Sequence, residues 1–361
     1  MTRLRRVVNY VMPSVFRGEG PFSAAAPYRA SPTMADVAAM AGVSHQTVSR
    51  VLNHHPSVSA KTRQKVQEAI TTLGYRRNLA ARTLATGNSR TIGVLVSTSN
   101  LAGPSESLLA IEQTARSERY WVSMASLQSG EADEVLDVIS HFIDQGVDGI
   151  IAVARTQMTL DVSVHASSRI PLVVVTPGAV PATMSSAEID QVGGATQAMA
   201  ILKGLGHTRI AHISGPASDL HAVARASVWR KEVAPDHADL IVEGDWTPAT
   251  GYCTTLSLLA KEEPPTAIFA GNDRMGFGVL RALNERGLRV PQDMSVIGFD
   301  DIEGADCAIP PLTTVRQDHH GLGRAAMELL LEAIDGQPAR SVEIPAQVIV
   351  RASTAAAPTT G

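Results

Sequence analysis

TMADVAAMAGVSHQTVSRVLN, residues 33–53, decides how the rest of this chain is read. Apolar residues recur at helical spacing through Val37, Ala38 and Met40, and again through Val48, Val51 and Leu52. Between the two runs stands Ala41-Gly42-Val43-Ser44, whose glycine permits a tight corner and whose serine is placed as an N-cap. Two short helices joined by so short a turn make a helix-turn-helix, a unit whose second helix lies in the DNA major groove. The polar face of that second helix carries His45, Gln46 and Arg50, while Val48 and Val51 turn inward. Gln pairs with adenine through two hydrogen bonds and Arg with guanine, so the exposed positions hold base-reading chemistry. The alternative for the isolated stretch is an ordinary helical hairpin with a polar face.

Charge is distributed as a nucleic-acid reader would need it. The chain of 361 residues carries a net charge of −4, which is unpromising until it is divided. Within residues 33–90, Arg50, Lys61, Arg63, Lys65, Arg76, Arg77, Arg82 and Arg90 face only Asp36 and Glu68. Arg3, Arg5, Arg6, Arg17 and Arg29 add to the basic side, and the remaining 271 residues carry the acidic excess. A basic DNA module on an acidic ligand domain would give this asymmetry. The length suits two or three domains, and 44% hydrophobic residues with only 4% aromatics imply large cores of Ala, Val, Leu and Ile. No run approaches the roughly 18 apolar residues of a membrane span. Two cysteines, Cys253 and Cys307, are too few for a disulfide scaffold and fit a reducing cytoplasm.

Outward from the helix-turn-helix, residues 1–32 lack an apolar core of about 7–15 residues with a cleavage site. They read as a basic, disordered tail, or as the product of a start codon placed too far upstream. On the other side, Val58-Ser59-Ala60-Lys61-Thr62-Arg63 opens a third helix running to about Leu73, capped by Ser59 and striped with Val66, Ala69, Ile70 and Leu73. Residues 79–87, LAARTLATG, are too short for a stable free helix. They read either as a segment that folds when two copies meet on DNA, with Leu84 wedged into the minor groove, or as a plain linker.

From Thr91 the period changes. Continuous β-prone runs at 91–96, 147–153, 170–176, 209–213, 266–270 and 294–299 alternate with helical stretches. That alternation predicts βαβ units, in two parallel sheets with helices on both faces. Ligands in such folds bind beyond the carboxyl ends of the strands. There the chain places Ser97 to Ser105, then Ser214-Gly215-Pro216 with His221 and Arg225, then Gly271-Asn272-Asp273, then Asp300-Asp301. Carboxylates and amides bind vicinal hydroxyls in pairs and an Arg fork bridges two oxygens, so one cleft for a small polyhydroxylated ligand is expected. Trp246 reads equally as a platform for a sugar face or as a core residue, and Asn-Asp after a strand also serves as a helix cap. No HExxH, CxxC, GxSxG or P-loop is present, so no enzyme, cofactor or metal is expected. The adjacent His319 and His320 would diverge on a helix and make a poor chelate.

The run DVAxxAGVSxxTVSRVLN at 36–53, VSAKTRxKV at 58–66 and NLAARTLATG at 78–87 resemble the LacI/GalR transcriptional regulators. GNDRMGFG at 271–278, SVIGFDD at 295–301 and PPLTTVRQD at 310–318 extend the likeness over about residues 33–353. The resemblance implies a homodimer whose two heads read a pseudo-palindromic operator. His45, Gln46 and Arg50 then occupy base-reading positions. Thr33, Ser44, Thr47, Ser49, Asn53, Thr62, Asn78 and Ala81 match positions at the phosphates or groove wall, and Leu84 matches the family's intercalating leucine. In the best-known member a Tyr stands at the position of His45, which implies a changed operator preference.

Leu101, Gly103, Pro104, Arg225, Trp246, Asn272 and Asp300 fall where the family's effector site lies. That same member has Asn, Asp and Phe where this chain has Val153, Thr176 and His319, so two polar sugar contacts are lost and an aromatic wall becomes titratable. A sugar-like effector other than lactose is the expectation. After Arg351 there is no leucine-heptad tail of the kind that makes tetramers, so a dimer is expected. The expected organisation is therefore a tail (1–32), a helix-turn-helix head (33–77), a hinge helix and linker (78–90), a periplasmic-binding-protein-like α/β core of two subdomains (91–353) and a disordered end (354–361). Function is expected to be cytoplasmic, nucleoid-associated repression released by a sugar, or alternatively tightened by a corepressor. A stand-alone sugar-binding protein is the reading from outside the regulator class.

Overall fold

Each helix among the described residues of the N-terminal unit starts on a hydroxyl side chain. In the computed structural model, which describes residues 32–53, 55–76, 87–97, 102–233 and 235–358, α1 spans Met34–Ala41, α2 His45–Leu52 and α3 Ala60–Leu73. Thr33 Oγ1 accepts from Asp36 N at 3.3 Å while the Asp36 carboxylate accepts from Thr33 N at 2.8 Å, a reciprocal capping box. Ser44 Oγ accepts from Thr47 N at 3.1 Å and Ser59 Oγ from Thr62 N at 3.2 Å. Gly42 makes the corner between α1 and α2 at φ +65°, a region that a side chain would strain. Val37, Val48, Val51, Val66, Ala69 and Tyr75 bury themselves together, and Met40, counted in the apolar period, lies exposed because the buried stripe runs through Ala41 instead. Asn78, Ala81, Leu84 and Leu101 lie outside the described residues.

The chain divides into two compact units, Met1–Arg82 and Thr83–Gly361. In the second, β1 (Thr91–Ser97), α4 (Ala102–Ser117), β2 (Trp121–Leu127), α5 (Ala132–Asp144), β3 (Gly149–Val153), α6 (Gln157–Ala166), β4 (Leu172–Val175) and β5 (Ser185–Ile189) build the first lobe. Then α7 (Gln191–Gly204), β6 (Ile210–Ser214), α8 (Leu220–Glu232), β7 (Ile241–Glu243), α9 (Pro248–Leu259), β8 (Ala267–Ala270), α10 (Asp273–Glu285) and β9 (Ser295–Ile297) build the second. The chain continues through β10 (Thr314–Arg316), α11 (His319–Ile334), β11 (Ser341–Ile344) and β12 (Gln347–Ile349). One sheet runs β11-β5-β4-β3-β1-β2 and the other β7-β6-β8-β9, both parallel throughout, while β10 and β12 pair antiparallel. Helix α11 returns to pack on α4 and the first sheet, so the chain passes between the lobes three times.

Strand alternation assigns each face its cover. Leu95, Ile150, Ala152 and Val174 join the cluster with Val135, Ile139 and Phe142 of α5 and Leu160 of α6. Val94, Ile151, Val173 and Val175 join Ile111 of α4 and Leu322 of α11. The six apolar runs marked in the sequence all become strands, although that at 294–299 is hydrogen-bonded as strand only over Ser295–Ile297. Strands β2, β5, β7, β10, β11 and β12 were not legible. Serines interrupt β2 and β5, and β7, β11 and β12 are only partly buried edge segments. The end expected to be disordered from residue 354 is instead docked through Ala357, because free polar groups of the second lobe take up its backbone. Ser295 Oγ donates to Ala355 O at 3.2 Å, and Ala357 N donates to Leu205 O at 2.8 Å.

Candidate functional site

The carboxyl ends of β3, β4, β5, β6, β8 and β9 open on one cleft between the lobes of the second unit. Val153, Thr176, Arg225, Trp246, Asn272, Asp300 and His319, all marked from the sequence, line it together. Gly103 and Pro104 fall in the opening turn of α4.

Arg225 of α8 is the centre of the polar floor, and only 4% of its surface is exposed. Its guanidinium donates from Nε at 2.9 Å and Nη2 at 2.7 Å to Gln191 Oε1, and from Nη1 to Gly271 O. Gln191 Nε2 donates to Gln317 Oε1 at 2.8 Å, and Gln317 Nε2 donates to Asp300 Oδ1 at 2.7 Å. Asp300 Oδ1 lies 3.5 Å from Arg225 Nη2, which closes the ring. The guanidinium also stacks 3.6 Å above the Phe299 ring and 5.6 Å from Trp246. Burial lowers the Arg225 pKa to about 10, offset by the Asp300 and Asp219 carboxylates, so it stays charged. Burial likewise raises Asp300 to about 6 against the pull of Arg225 and Arg155. Beneath it Asp273, fully buried and also repelled by Asp300, is raised to about 8.

Backbone strain is concentrated here. Trp246 sits at φ +69° and Asp300 at φ +113°, both non-glycine residues in left-handed territory. A Cβ on Gly215 would lie 2.0 Å from the indole and one on Gly271 3.2 Å from it, so two glycines seat the ring. The indole N–H has no hydrogen-bond partner among the described residues although Trp246 is only 7% exposed. Asn272 plays the bland part as well: Oδ1 accepts from Met275 N at 2.9 Å as an N-cap, and Nδ2 donates to Trp246 O at 3.3 Å.

The opposite wall is imidazole and aliphatic. His319 Nδ1 lies 2.8 Å from Ser107 Oγ, and burial lowers its pKa to about 4, so it is neutral. His221, also lowered to about 4 by burial, stands beside Asp219. Arg155, after β3, pairs across the lobes with Asp219, and Leu220 N donates to Arg155 O at 2.8 Å. Burial opposes ionisation of Asp219, but the hydrogen bond with His221 and the charge of Arg155 hold it well below the usual carboxylate range. Arg155, Glu188, Gln191 and Gln317 line the cleft and were not among the residues chosen from sequence, whereas His221, which lines it too, was marked after β6. The strand-end rule would have found Arg155 had it been applied after β3; nothing local distinguishes the two glutamines.

In the head, Ser44, His45, Gln46, Arg50 and Asn53 are exposed, while Thr47 and Ser49 are half-buried. His45 and Ser49, like Gln46 and Arg50, are four residues apart, so the pairs share the face opposite Val48 and Val51. Thr33, Ser44 and Thr62 stand at or near helix N-termini, where backbone N–H groups attract phosphate.

A family model for "Bacterial regulatory proteins, lacI family" matches residues 33–78, and one for "Periplasmic binding protein-like domain" matches residues 199–354. The lactose operon repressor of Escherichia coli (strain K12) is 34% identical over 336 residues, which covers 91% of this chain and 92% of that protein. Catabolite control protein A of Priestia megaterium is 33% identical over 329 residues, covering 89% and 99%. A crystal structure of the lac repressor dimer bound to operator and the anti-inducer ONPF superposes with a TM-score of 0.82 at 34% identity, covering 91% of this chain and all of that one.

Proposed function

Because the chain belongs to the lacI family of bacterial regulatory proteins, we propose that it is an operator-binding repressor whose DNA affinity is set by a neutral sugar in the cleft between its lobes. The observation that carries this is the ring of Arg225, Gln191, Gln317 and Asp300, linked by hydrogen bonds and closed by the Arg225–Asp300 ion pair. Arg225 and Asp300 belong to the second lobe, whereas Gln191 and Gln317 sit on two of the three segments that cross between the lobes. A ligand whose hydroxyls replace bonds in this ring therefore alters the crossovers themselves, which is the differential contact that allostery requires.

DNA reading is assigned to His45, Gln46 and Arg50 at base edges. Thr33, Ser44, Thr47, Ser49, Asn53 and Thr62 are assigned to the backbone or groove wall. The roles of Asn78, Ala81 and Leu84 rest on the resemblance of residues 78–87 alone, and that of Leu101 on its match to the effector site. Dimerisation is supported by apolar side chains left uncovered on the second unit: Leu109 of α4, Trp121 and Met124 of the edge strand β2, and Ile309. No helix among the described residues is long and apolar enough to cross a membrane, and a cytoplasmic, nucleoid-associated location follows from operator binding. Members of the family are regulators rather than enzymes.

Selection of bound duplexes from a random pool, followed by titration of the selected DNA with neutral sugars, tests the reading. A pseudo-palindromic consensus whose affinity one sugar lowers is expected. A sugar that tightens binding would reverse the sign and make the ligand a corepressor. Absence of any consensus would overturn the assignment of the head.

A further inference from the structure

The last residues before β1 are held by one carboxylate. Asp148, which directly precedes β3, accepts through Oδ1 from Ser89 N at 2.7 Å and from the Ser89 hydroxyl at 2.9 Å, and through Oδ2 from Arg90 N at 2.9 Å. Its own N–H donates to Thr91 O at 2.8 Å, which keeps the clamp in register with the pairing of Ile92 and Gly149. Ser89 Oγ in turn accepts from Thr91 N at 3.2 Å. On the other flank of β1, Trp121 N donates to Arg90 O at 2.8 Å, and the Arg90 guanidinium lies 5.0 Å from the centre of the Tyr120 ring.

Arg90 adopts φ +55°, a left-handed conformation that costs a residue with a side chain about 1–3 kcal/mol and persists only where its surroundings over-determine it. Here bonds from both flanks do so. Sheet pairing by itself fixes the chain from Thr91 onward. The clamp adds Ser89 and Arg90 to the rigid lobe, and the chain reaches them directly from the segment that follows the head.

Strand β3 joins this clamp to the cleft. All five of its residues, Gly149–Val153, are buried, and it is paired on both sides, with β1 and β4. A slip of one residue would turn its side chains to the wrong faces, so the strand moves only with its lobe. Past its far end Arg155 pairs with Asp219 of the second lobe, and Leu220 N donates to Arg155 O at 2.8 Å. About 23 Å of extended chain therefore separates the grip on the linker from the bond across the lobes.

We propose that Asp148 is a positioning residue for regulation: it makes the end of the linker part of the first lobe, so that a change at the Arg155–Asp219 bridge reaches the linker instead of being lost in a swivel at residues 88–90. Asp148 touches neither effector nor DNA in this role. The proposal rests on the reading of the chain as an operator-binding protein governed from its cleft.

Coupling between sites is reciprocal, so DNA itself probes the path from head to cleft. Amide hydrogen exchange of the full chain is measured with and without the duplex obtained by selection, at residues 86–91 and 217–226. In the parent, duplex binding should change exchange at Leu220 by about fivefold or more, the lower end of ordinary coupling between sites. Asp148→Ala should bind the duplex, exchange faster at Arg90 and Thr91, and lose most of the Leu220 response. Asp293→Ala controls for a merely structural role. Asp293 also accepts from main chain shortly before a strand, from Arg289 N at 2.7 Å, but in the second lobe. This control should lower stability and keep the response. Should Asp148→Ala fail to fold, Asp148→Asn, which retains an acceptor, carries the same comparison. A Leu220 response of parental size in an Asp148 variant whose residues 89–91 exchange faster would overturn the proposal. An equal loss of response in Asp293→Ala would also overturn it, by assigning the effect to general destabilisation. A folded Asp148 variant that no longer binds the duplex would place the residue in the grip on DNA, against the proposal. No response in the parent would overturn regulation through the cleft, and this path with it.

Discussion

Gln191 and Gln317, 126 positions apart, meet at 2.8 Å and thereby join two of the crossovers between the lobes. Gln191 is also the main acceptor for the buried guanidinium of Arg225. Hydrogen bonds to a charged group contribute about 1.5–3 kcal/mol each in net stability, and a buried charge left without them costs at least as much. Gln191→Ala is therefore expected to lower unfolding free energy by about 2–3 kcal/mol in urea titration. A loss under about 0.5 kcal/mol, the ordinary scale of a surface change, would show that the ring carries little of the fold.

Effector binding should depend on pH through Asp300. A sugar hydroxyl donates to the ionised carboxylate, and burial has raised this group to about 6. Affinity is expected to be flat above pH 7 and to weaken toward about tenfold per unit well below pH 6. In Asp300→Asn the profile should be flat, at lower affinity. An unchanged slope in that variant would assign the titration to another group.

Stability without ligand should run the other way. Asp300 at about 6 and Asp273 at about 8 both lie above their unfolded value of 3.8, so the folded chain binds extra protons between about pH 4 and 8. Their contribution is complete below pH 4 and is lost as pH rises through those values. Asp273→Asn keeps an acceptor for Ile302 N, which Asp273 Oδ2 accepts at 3.0 Å, and offers a donor to Thr314. Melting temperatures of this variant between pH 5 and 8 should fall less steeply than those of the parent; parallel curves would remove Asp273 as the source.

Gly215→Ala tests how Trp246 is seated. The added methyl would lie 2.0–2.4 Å from three indole atoms, so the ring must shift. Overpacking of this kind costs about 1–3 kcal/mol. Effector response should be lost while operator binding remains, since the head is a separate compact unit. A fully responsive variant would mean that Trp246 is a core residue only.

At the head, His45→Ala should relax operator selection at one or two positions, by about 1–3 kcal/mol of discrimination, because the side chain is exposed at the start of α2. An unaltered selection profile would move His45 out of base readout.

Trp121, 68% exposed on an edge strand, and Ile309, 92% exposed, are candidates for the surface between two copies. The double change Trp121→Asp and Ile309→Asp should yield monomers in sedimentation velocity and weaken binding to a two-half-site operator far more than to a single half-site. A stable dimer would place the interface elsewhere.

The head could be read almost completely from residues 33–73, because its determinants act over short spans. Thr33, Ser44 and Ser59 cap the helix that follows them, Gly42 turns the chain in place, and the apolar period declares which side chains turn inward. The buried strands were legible for the same reason: residues covered on both faces are apolar without interruption, as in β3 and β4. Arg225, Asn272 and Asp300 could be placed in one cleft because strand ends converge in a parallel sheet, whereas Trp246 was open between sugar platform and core residue and His319 was assigned there only through the family resemblance. What those side chains do there depended on partners that no local pattern names. Gln191 reaches Arg225 across 34 positions, Asp219 reaches Arg155 across 64, and Gln317 reaches Gln191 across 126. Local composition sets which segments form helices and strands, since capping and burial periodicity operate within a few residues. Pairings between lobes arise only when the crossovers bring distant polar groups into one low-dielectric space, where each buried charge must find its partner.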